Sequence, residues 1–544
     1  RYRRRWRSAL ARQAATAQDR IVFWAVALVV GVASGYAAVG FRTAINLLQE
    51  AVYGADNRTI HSFADGLDWW HLLLVPICGG VAVGWIRARY IGPRVLSVSD
   101  VIAAAALRDA RVDKRAGLAS AAASLITLST GGSTGREGPV VHLAAVIAAW
   151  VDDRLDRHGL TARDILGCAV AAAVSASFNA PLAGALFALE VVLRHYALHA
   201  FGPIVIASVA GAVIARVHLG EFAQFMLPSA SLAFYEEIPA FMLLGLLCGA
   251  VGVILMRALF LAEDLADAWE RRLGTHHLIR PAVAGALLGA LAIPFPHVIG
   301  VGYETTTRAL TGGLDFWGAV VFAAVKGTAL AVTYAGRMGG GVFSPALMMG
   351  ALTGLAFGAI ASEMFSAIPG SEGLYALAGM GAVAAAVLGA PISTTLIVFE
   401  LTGDWQAAIA VMVSVSVATV FAHRFVWRSF FLSQLKRAGY RLGEGAAHLP
   451  GAMPVRHHMR LRGAEDCASD TACLDLVNQG AFLSSEATLA DALPMFDAAK
   501  LEWLPVVDRK ARDGDGELIG ALFHIDALKS LNRALIERDL ERGG

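Results

Sequence analysis

Gly131-Gly132-Ser133-Thr134-Gly135-Arg136-Glu137-Gly138-Pro139 lies between two long apolar runs and sets a glutamate among four glycines and a proline. Glycines let the backbone leave helical geometry, and Pro139, with no N–H to leave unpaired, suits the first residue of a following helix. That helix would aim its first-turn N–H groups at whatever lies in front of them, which makes a strong anion site where water does not compete. Irregular backbone at membrane depth is tolerated only where protein encloses it or a water-filled cavity adjoins it. Glu137 is therefore expected at a cavity.

The device recurs. Gly339-Gly340-Gly341-Val342-Phe343-Ser344-Pro345 is again a glycine run, a proline and an apolar stretch. Downstream, Ala180-Pro181 leads to Glu190 and Ala390-Pro391 leads to Glu400, each proline preceding its glutamate by nine residues. Broken helices in matching positions of two halves mark a membrane protein built from repeats, with its ion or substrate site where the breaks meet.

Composition sets the class. The 544 residues are 56% apolar and only 16% charged, with a mean hydropathy of +0.58, which excludes a soluble enzyme and indicates a polytopic membrane protein. The net charge of +1 says nothing about partners, because the charges are segregated. Residues 1–20 carry seven arginines against one aspartate. They read as a helix at an anionic membrane surface or as a solvated basic tail, and place the N-terminus in the cytoplasm. The apolar run from Ile21 extends beyond a signal-peptide core without a clear cleavage site. Five scattered cysteines show no metal-ligand spacing and read as small core residues or reduced thiols. No cofactor is implied.

The expected organisation is a basic segment 1–20, a first membrane half 21–262, a charged cytoplasmic joint 263–280, a second half 281–437, a linker 438–480 and a small module 481–544. Several apolar segments are too short to cross about 30 Å of hydrocarbon, so tilted and half-spanning helices are expected. The module reads as β-α-β-β-α.

Gly135-Arg136-Glu137-Gly138-Pro139, the segment from Phe178 to Gly184 leading to Glu190, and Gly341-Val342-Phe343-Ser344-Pro345 resemble, in order, the signature motifs of the CLC family of chloride channels and chloride/proton exchangers. The resemblance covers about residues 20–437. It implies an all-α polytopic membrane protein, an inverted repeat of tilted and broken helices, in the inner membrane with both termini cytoplasmic. It further implies a homodimer with a separate path for chloride and other small anions in each subunit, and no enzymatic activity. Backbone N–H groups near Glu137, Gly138, Val342 and Phe343 would replace the ion's hydration shell without a full charge to trap it. Arg136 joins this anion-binding set, and Glu137 would be the gate, a tethered anion that blocks when ionised and swings away when protonated.

Departures from the family pattern bear on mechanism. The first anion motif should lie just before the helix near Val101, where the chain has Val95-Leu96-Ser97-Val98-Ser99-Asp100. The family's central serine aligns with Leu96, with Ser97 or Ser99 as alternative hydroxyls. The inner tyrosine aligns with Phe431. The internal proton acid of the exchangers aligns with Val191, after Glu190, which reads as structural. The resemblance thus leans to a channel or weakly coupled conductor, with a chloride/proton exchanger as alternative and a cation-coupled carrier of small organic acids as a further one. An intramembrane hydrolase using Ser133 or Ser344 lacks a histidine base other than His142, which is expected to pack. Lys326 either raises the potential along the anion path or pairs with an acid. The module resembles a single CBS motif, for regulation or dimer support. In it Gly520 and Asp526 match a nucleotide-binding pattern while Phe523 replaces the hydroxyl, which leaves an adenine nucleotide as a weak candidate partner.

Overall fold

The computed structural model describes residues 2–543 apart from 56–58, 65, 108–109, 156–160, 195–197, 221–236, 274–277, 365–371, 427, 441–452, 465–466, 500 and 509–516. The chain divides into two compact units, Arg1–Gln434 and Leu435–Gly544.

The first half of the larger unit holds α1 (Tyr2–Tyr53), α2 (Ile60–Ala64), α3 (Trp69–Ile86), α4 (Val98–Leu107), α5 (Lys114–Ser129), α6 (Glu137–Asp152), α7 (Ala162–Phe178), α8 (Pro181–Phe187) and α9 (Leu198–Leu219). The second half holds α10 (Ile238–Leu273), α11 (Ile279–Ala292), α12 (Tyr303–Leu310), α13 (Phe316–Ala335), α14 (Phe343–Met364), α15 (Glu372–Leu388), α16 (Pro391–Thr402) and α17 (Trp405–Phe425). A short α18 (Phe430–Arg437) follows, and the unit boundary falls within it. Seven helices among the described residues are long and apolar enough to cross a membrane, and others are shorter apolar pieces, which is the mixture of reach the segment lengths predict.

Two boundaries differ from the sequence expectation. The basic segment is continuous with the first apolar run in α1 rather than a separate helix. The charged joint at 263–280 is largely the end of α10, which continues to Leu273 because the alanines, leucines, glutamates and arginines of this stretch are good helix formers.

Capping residues fix several helix starts. Asp113 accepts from the N–H groups of Arg115 and Ala116 at α5, and Thr161 with Asp164 forms a capping box at α7. At the matching points after α7 and α15, Asn179 (φ 56°) and Gly389 (φ 68°) adopt the left-handed conformation that turns the chain into the two Ala-Pro helices.

α7 and α15 are buried almost along their whole length. Small residues make this possible, because without a hydrophobic drive between helices in lipid, close backbone approach supplies the packing. At the crossing of α14 and α15, a Cβ on Gly350 would run into the Gly379 carbonyl and one on Gly354 into the Tyr375 carbonyl.

The smaller unit is a four-stranded sheet of β1 (Arg460–Leu461), β2 (Leu483–Ser484), β3 (Trp503–Asp508) and β4 (Glu517–Phe523), ordered β1-β4-β3-β2. The β2/β3 pair is parallel and the others antiparallel. Helices α19 (Asp470–Asn478), α20 (Leu489–Ala499) and α21 (His524–Gly543) complete it. Val455, Leu483, Phe496, Leu504, Val506 and Leu522 form its core. The β-α-β-β-α order from β2 onward is as expected. The linker expected at 438–480 is not: β1 pairs with β4 and α19 packs there too, since Cys473 joins a buried cluster with Leu518 and Ala521. A two-residue strand has no readable alternation, so polar flanks hid it.

Candidate functional site

The two glycine breaks meet. The Gly135 N–H donates to the Gly341 carbonyl and the Gly341 N–H to the Gly135 carbonyl, both at 2.7 Å, and the Thr134 hydroxyl donates to the Gly341 carbonyl at 2.9 Å. Pro139 and Pro345 are the third residues of α6 and α14, not the first. The reason is that no N–H in the first turn has an intrahelical acceptor, so Glu137-Gly138 and Phe343-Ser344 can lead their helices and leave their own N–H groups outward. Two helix N-termini therefore abut.

Glu137 is buried, at 3% exposure. Its Oε1 accepts from the Ser344 hydroxyl at 2.5 Å, while Oε2 has no hydrogen-bond partner. The carboxylate thus lies across the start of α14 rather than capping its own helix. Oε2 stands over Gly135, where a Cβ would lie 2.6 Å away, so only glycine leaves room for this pose. Gly138 packs on Gly341, Val342 is fully buried, and the Phe343 ring lies 4.7 Å from Phe178 and 6.3 Å from Phe187, forming an aromatic wall.

Arg136 takes a different place from the anion-facing one expected. Its guanidinium donates to the Ser177 carbonyl at 3.2 Å and lies 5.1 Å over the Tyr303 ring, with its Nε 3.9 Å from Glu137 Oε1. It satisfies a carbonyl at the end of α7, where a helix C-terminus attracts a cation.

A cavity of about 400 Å³ including its open mouth has Leu96, Ser97, Arg94, Tyr334, Glu263, Arg337 and Gln434 among its walls, and Glu137, expected at a cavity, is not one of them. The Leu96 N–H donates to Ser120, so Leu96 offers backbone and an apolar side chain there. Ser97 supplies a hydroxyl, bonded to Ser99 at 2.8 Å and to Gln434 Oε1 at 3.2 Å. Ser99 itself is fully buried. Asp100 holds the Ser97 N–H at 2.8 Å and a bidentate pair with Arg94 at 2.7 and 2.9 Å, so an acid at this helix start is neutralised locally.

Phe431, aligned with the family's tyrosine, is buried against Phe430 and is not among the cavity's walls. The phenol in that wall belongs to Tyr334, whose ring meets Phe430 edge-on at 5.5 Å. Sequence reading missed Tyr334 and Gln434 because each lies in a helix without a motif. The only available signals were a polar-tipped aromatic at the end of an apolar helix, shortly before the glycine run, and an amide three residues after Phe431.

Glu190 is committed elsewhere. Its carboxylate accepts from the N–H groups of Ile392 (3.1 Å) and Ser393 (2.8 Å) and from the Ser393 hydroxyl (2.5 Å), while Glu400 accepts from Leu182 and Ala183, both at 2.8 Å. Each half's glutamate caps the other half's Ala-Pro helix, which gives the nine-residue spacing a physical meaning. Val191 is buried and apolar. Lys326, fully buried, donates to the Val298 (3.2 Å) and Gly300 (2.8 Å) carbonyls and not to an acid. In the smaller unit Asp526 pairs with Arg460 at 2.7 Å, and Arg460 lies 3.9 Å over Phe523.

Residues 79–423 match the family model described as voltage gated chloride channel. A protein of Ralstonia nicotianae named for its likeness to the chloride channel protein ClcB is 32% identical over 416 residues, 73% of this chain and 93% of that one. The chloride channel protein CLC-f of Arabidopsis thaliana is 29% identical, and the match covers 73% of this chain but only 53% of that longer protein. Among solved structures, a slow cyanobacterial Cl-/H+ antiporter superposes with a TM-score of 0.67 at 22% identity, covering 76% of this chain and 97% of that one. With its paired broken helices and this family match, the chain belongs to the CLC family of voltage-gated chloride channels and related anion transporters, as a multi-pass membrane protein.

Proposed function

We propose that this chain conducts chloride and other small anions through a path that Glu137 opens and closes, passively or with only weak coupling to protons. The observation that carries the reading is the Glu137 carboxylate, seated between two helix N-termini with one oxygen held by Ser344 and the other unpartnered. A buried carboxylate satisfied on one side only is held loosely, because the unpaired oxygen bears a desolvation cost. Chloride offers the same charge to the same N–H groups and competes for the spot. Protonation removes the carboxylate's claim on the helix ends and frees it to swing out.

Weak coupling follows from the other acids. Glu190 spends its carboxylate on the start of α16 and Val191 carries no proton. At the Ser97 cavity, which we place on the cytoplasmic side, an ion attracted by Arg94 and Arg337 and moderated by Glu263 would meet Tyr334, and would take the Ser97 hydroxyl from its bonds to Ser99 and Gln434. We further place the protein as a homodimer in the inner membrane with both termini cytoplasmic, in line with the arginine-rich start of α1. The C-terminal unit reads as a CBS-like module for dimer support or regulation. An adenine nucleotide there would have to displace Arg460 from Asp526.

Purified protein in liposomes, with voltage held and an outward chloride gradient as the only drive, tests the reading. Chloride efflux with little or no proton uptake, made insensitive to pH by Glu137→Gln, is expected. A fixed ratio of two chlorides to one proton would replace it with exchange, and absence of efflux for every small anion would overturn it.

A further inference from the structure

Gln434 lies about one turn beyond Phe431 on α18 and stands in the wall of the Ser97 cavity. A chain of hydroxyls orients its amide. Ser99 is fully buried, and the partner of its hydroxyl is Ser97 Oγ at 2.8 Å. A buried hydroxyl that only accepted would leave its own proton unsatisfied, so Ser99 donates to Ser97. The Ser97 proton then goes to Gln434 Oε1 at 3.2 Å, nearer than Asp100 Oδ2 at 3.5 Å. Asp100 anchors this chain by accepting the Ser97 N–H at 2.8 Å. With Oε1 taken, the amide turns its other end, the two N–H donors on Nε2, away from the serines. Among the described residues nothing pairs with Nε2, and the atom is not sealed in protein.

The charged groups of the wall are placed differently. Arg94 is held by Asp100 through two bonds, and Arg337 by Asp267 at 2.9 Å and the Pro93 carbonyl at 3.0 Å. They raise the potential from fixed positions. An ion that must also leave needs neutral donors beside that potential, since a full charge in contact would trap it. The neutral side-chain donors in the wall are Ser97, Tyr334 and Gln434. Ser97 gives its proton to Gln434, so Tyr334 offers one donor and the amide two.

We propose that the Gln434 amide is a ligand of the anion in this cavity and sets a preference for charge-dense anions such as chloride over diffuse ones such as thiocyanate. This rests on the anion-conduction reading and names a specificity-determining residue on its path. An N–H donor replaces part of the hydration shell, and the replacement matters most to an ion that holds its water tightly. A diffuse anion loses little on entry and gains little from the amide.

The test uses the full chain in liposomes, with efflux of chloride and of thiocyanate each measured below saturation, where rates compare kcat/KM. In Gln434→Leu the chloride-to-thiocyanate ratio should fall about tenfold, as loss of one hydrogen bond to a charged group requires. The ratio does not depend on how much of the protein is active, so a merely structural role leaves it unmoved. A fall smaller than about threefold overturns the proposal. Should Gln434→Leu not yield monodisperse protein, Gln434→Met, closer in length, is held to the same criterion. A wild type that moves neither anion defeats the conduction reading instead. Calorimetric titration of wild type and variant with chloride then decides the ligand: equal affinity overturns the proposal, and a loss of about tenfold upholds it.

Discussion

Removing the Ser344 hydroxyl is the sharpest probe of the gate. Ser344 donates at 2.5 Å to the one Glu137 oxygen that has a partner, in a buried site. A hydrogen bond to a charged group contributes about 1.5–3 kcal/mol, so Ser344→Ala should shift the balance from seated to displaced carboxylate by about 10- to 150-fold. On the proposed reading chloride competes for that seat, and its apparent affinity at neutral pH should tighten by up to the same factor. Calorimetric titration of purified protein reads this directly. The control is a double-mutant cycle: in the Glu137→Gln background, where no anionic carboxylate competes, Ser344→Ala should change affinity by less than about threefold. An unchanged affinity in the single variant would refute the tethered-anion argument. An equal change in both backgrounds would show instead that Ser344 touches the ion and not the gate.

Gly135→Ala puts a Cβ 2.6 Å from Glu137 Oε2 and should push the carboxylate off its seat, so chloride efflux at alkaline pH should rise toward that of Glu137→Gln. Glu190→Gln and Glu400→Gln each weaken charge-assisted bonds to a helix start and should lower stability by about 1–3 kcal/mol with anion flux retained, read by thermal denaturation. Loss of proton movement in Glu190→Gln at unchanged stability would reject the capping role. Gly354→Ala drives a Cβ into the Tyr375 carbonyl, and the forced separation of α14 and α15 should destabilise by about 1–3 kcal/mol. Lys326→Met leaves the Val298 and Gly300 carbonyls without their donor, and the loop before α12 should become susceptible to proteolysis.

The glycine-proline breaks were legible because they violate what an apolar helix tolerates, and so was the meeting of Glu137 with the second break, because the repeat places it there. The pairing of Glu190 with α16 was half legible: the repeat showed two equivalent acids, but the sequence does not say that each crosses to the other half. Leu96 and Phe431 show the limit of aligning motifs. A hydroxyl lost at one position is not lost from the cavity, since Ser97 and Tyr334 stand in its wall from elsewhere in the chain. Strand β1 was unreadable for a different reason, as two residues carry no period.

The two halves are nearly the same device, and function lies where they differ. Glu137 and Phe343 occupy equivalent places as the leading residues of α6 and α14, each two before a proline and two after a bridged glycine. Glu190 and Glu400 remain equivalent and do equivalent work, locking the Ala-Pro helices across the halves. Had both leading positions carried glutamate, two carboxylates would share one site and repel. Had both carried phenylalanine, the helix ends would face an apolar plug with no group to titrate. One acid against one aromatic wall gives, on the proposed reading, a single movable charge with a fixed surface to close on. Ser344, at the position equivalent to Gly138, brings a hydroxyl from the second half to the Glu137 carboxylate, the gate in the proposed function. In the proposed function the reciprocal caps hold the frame while the Glu137 carboxylate moves.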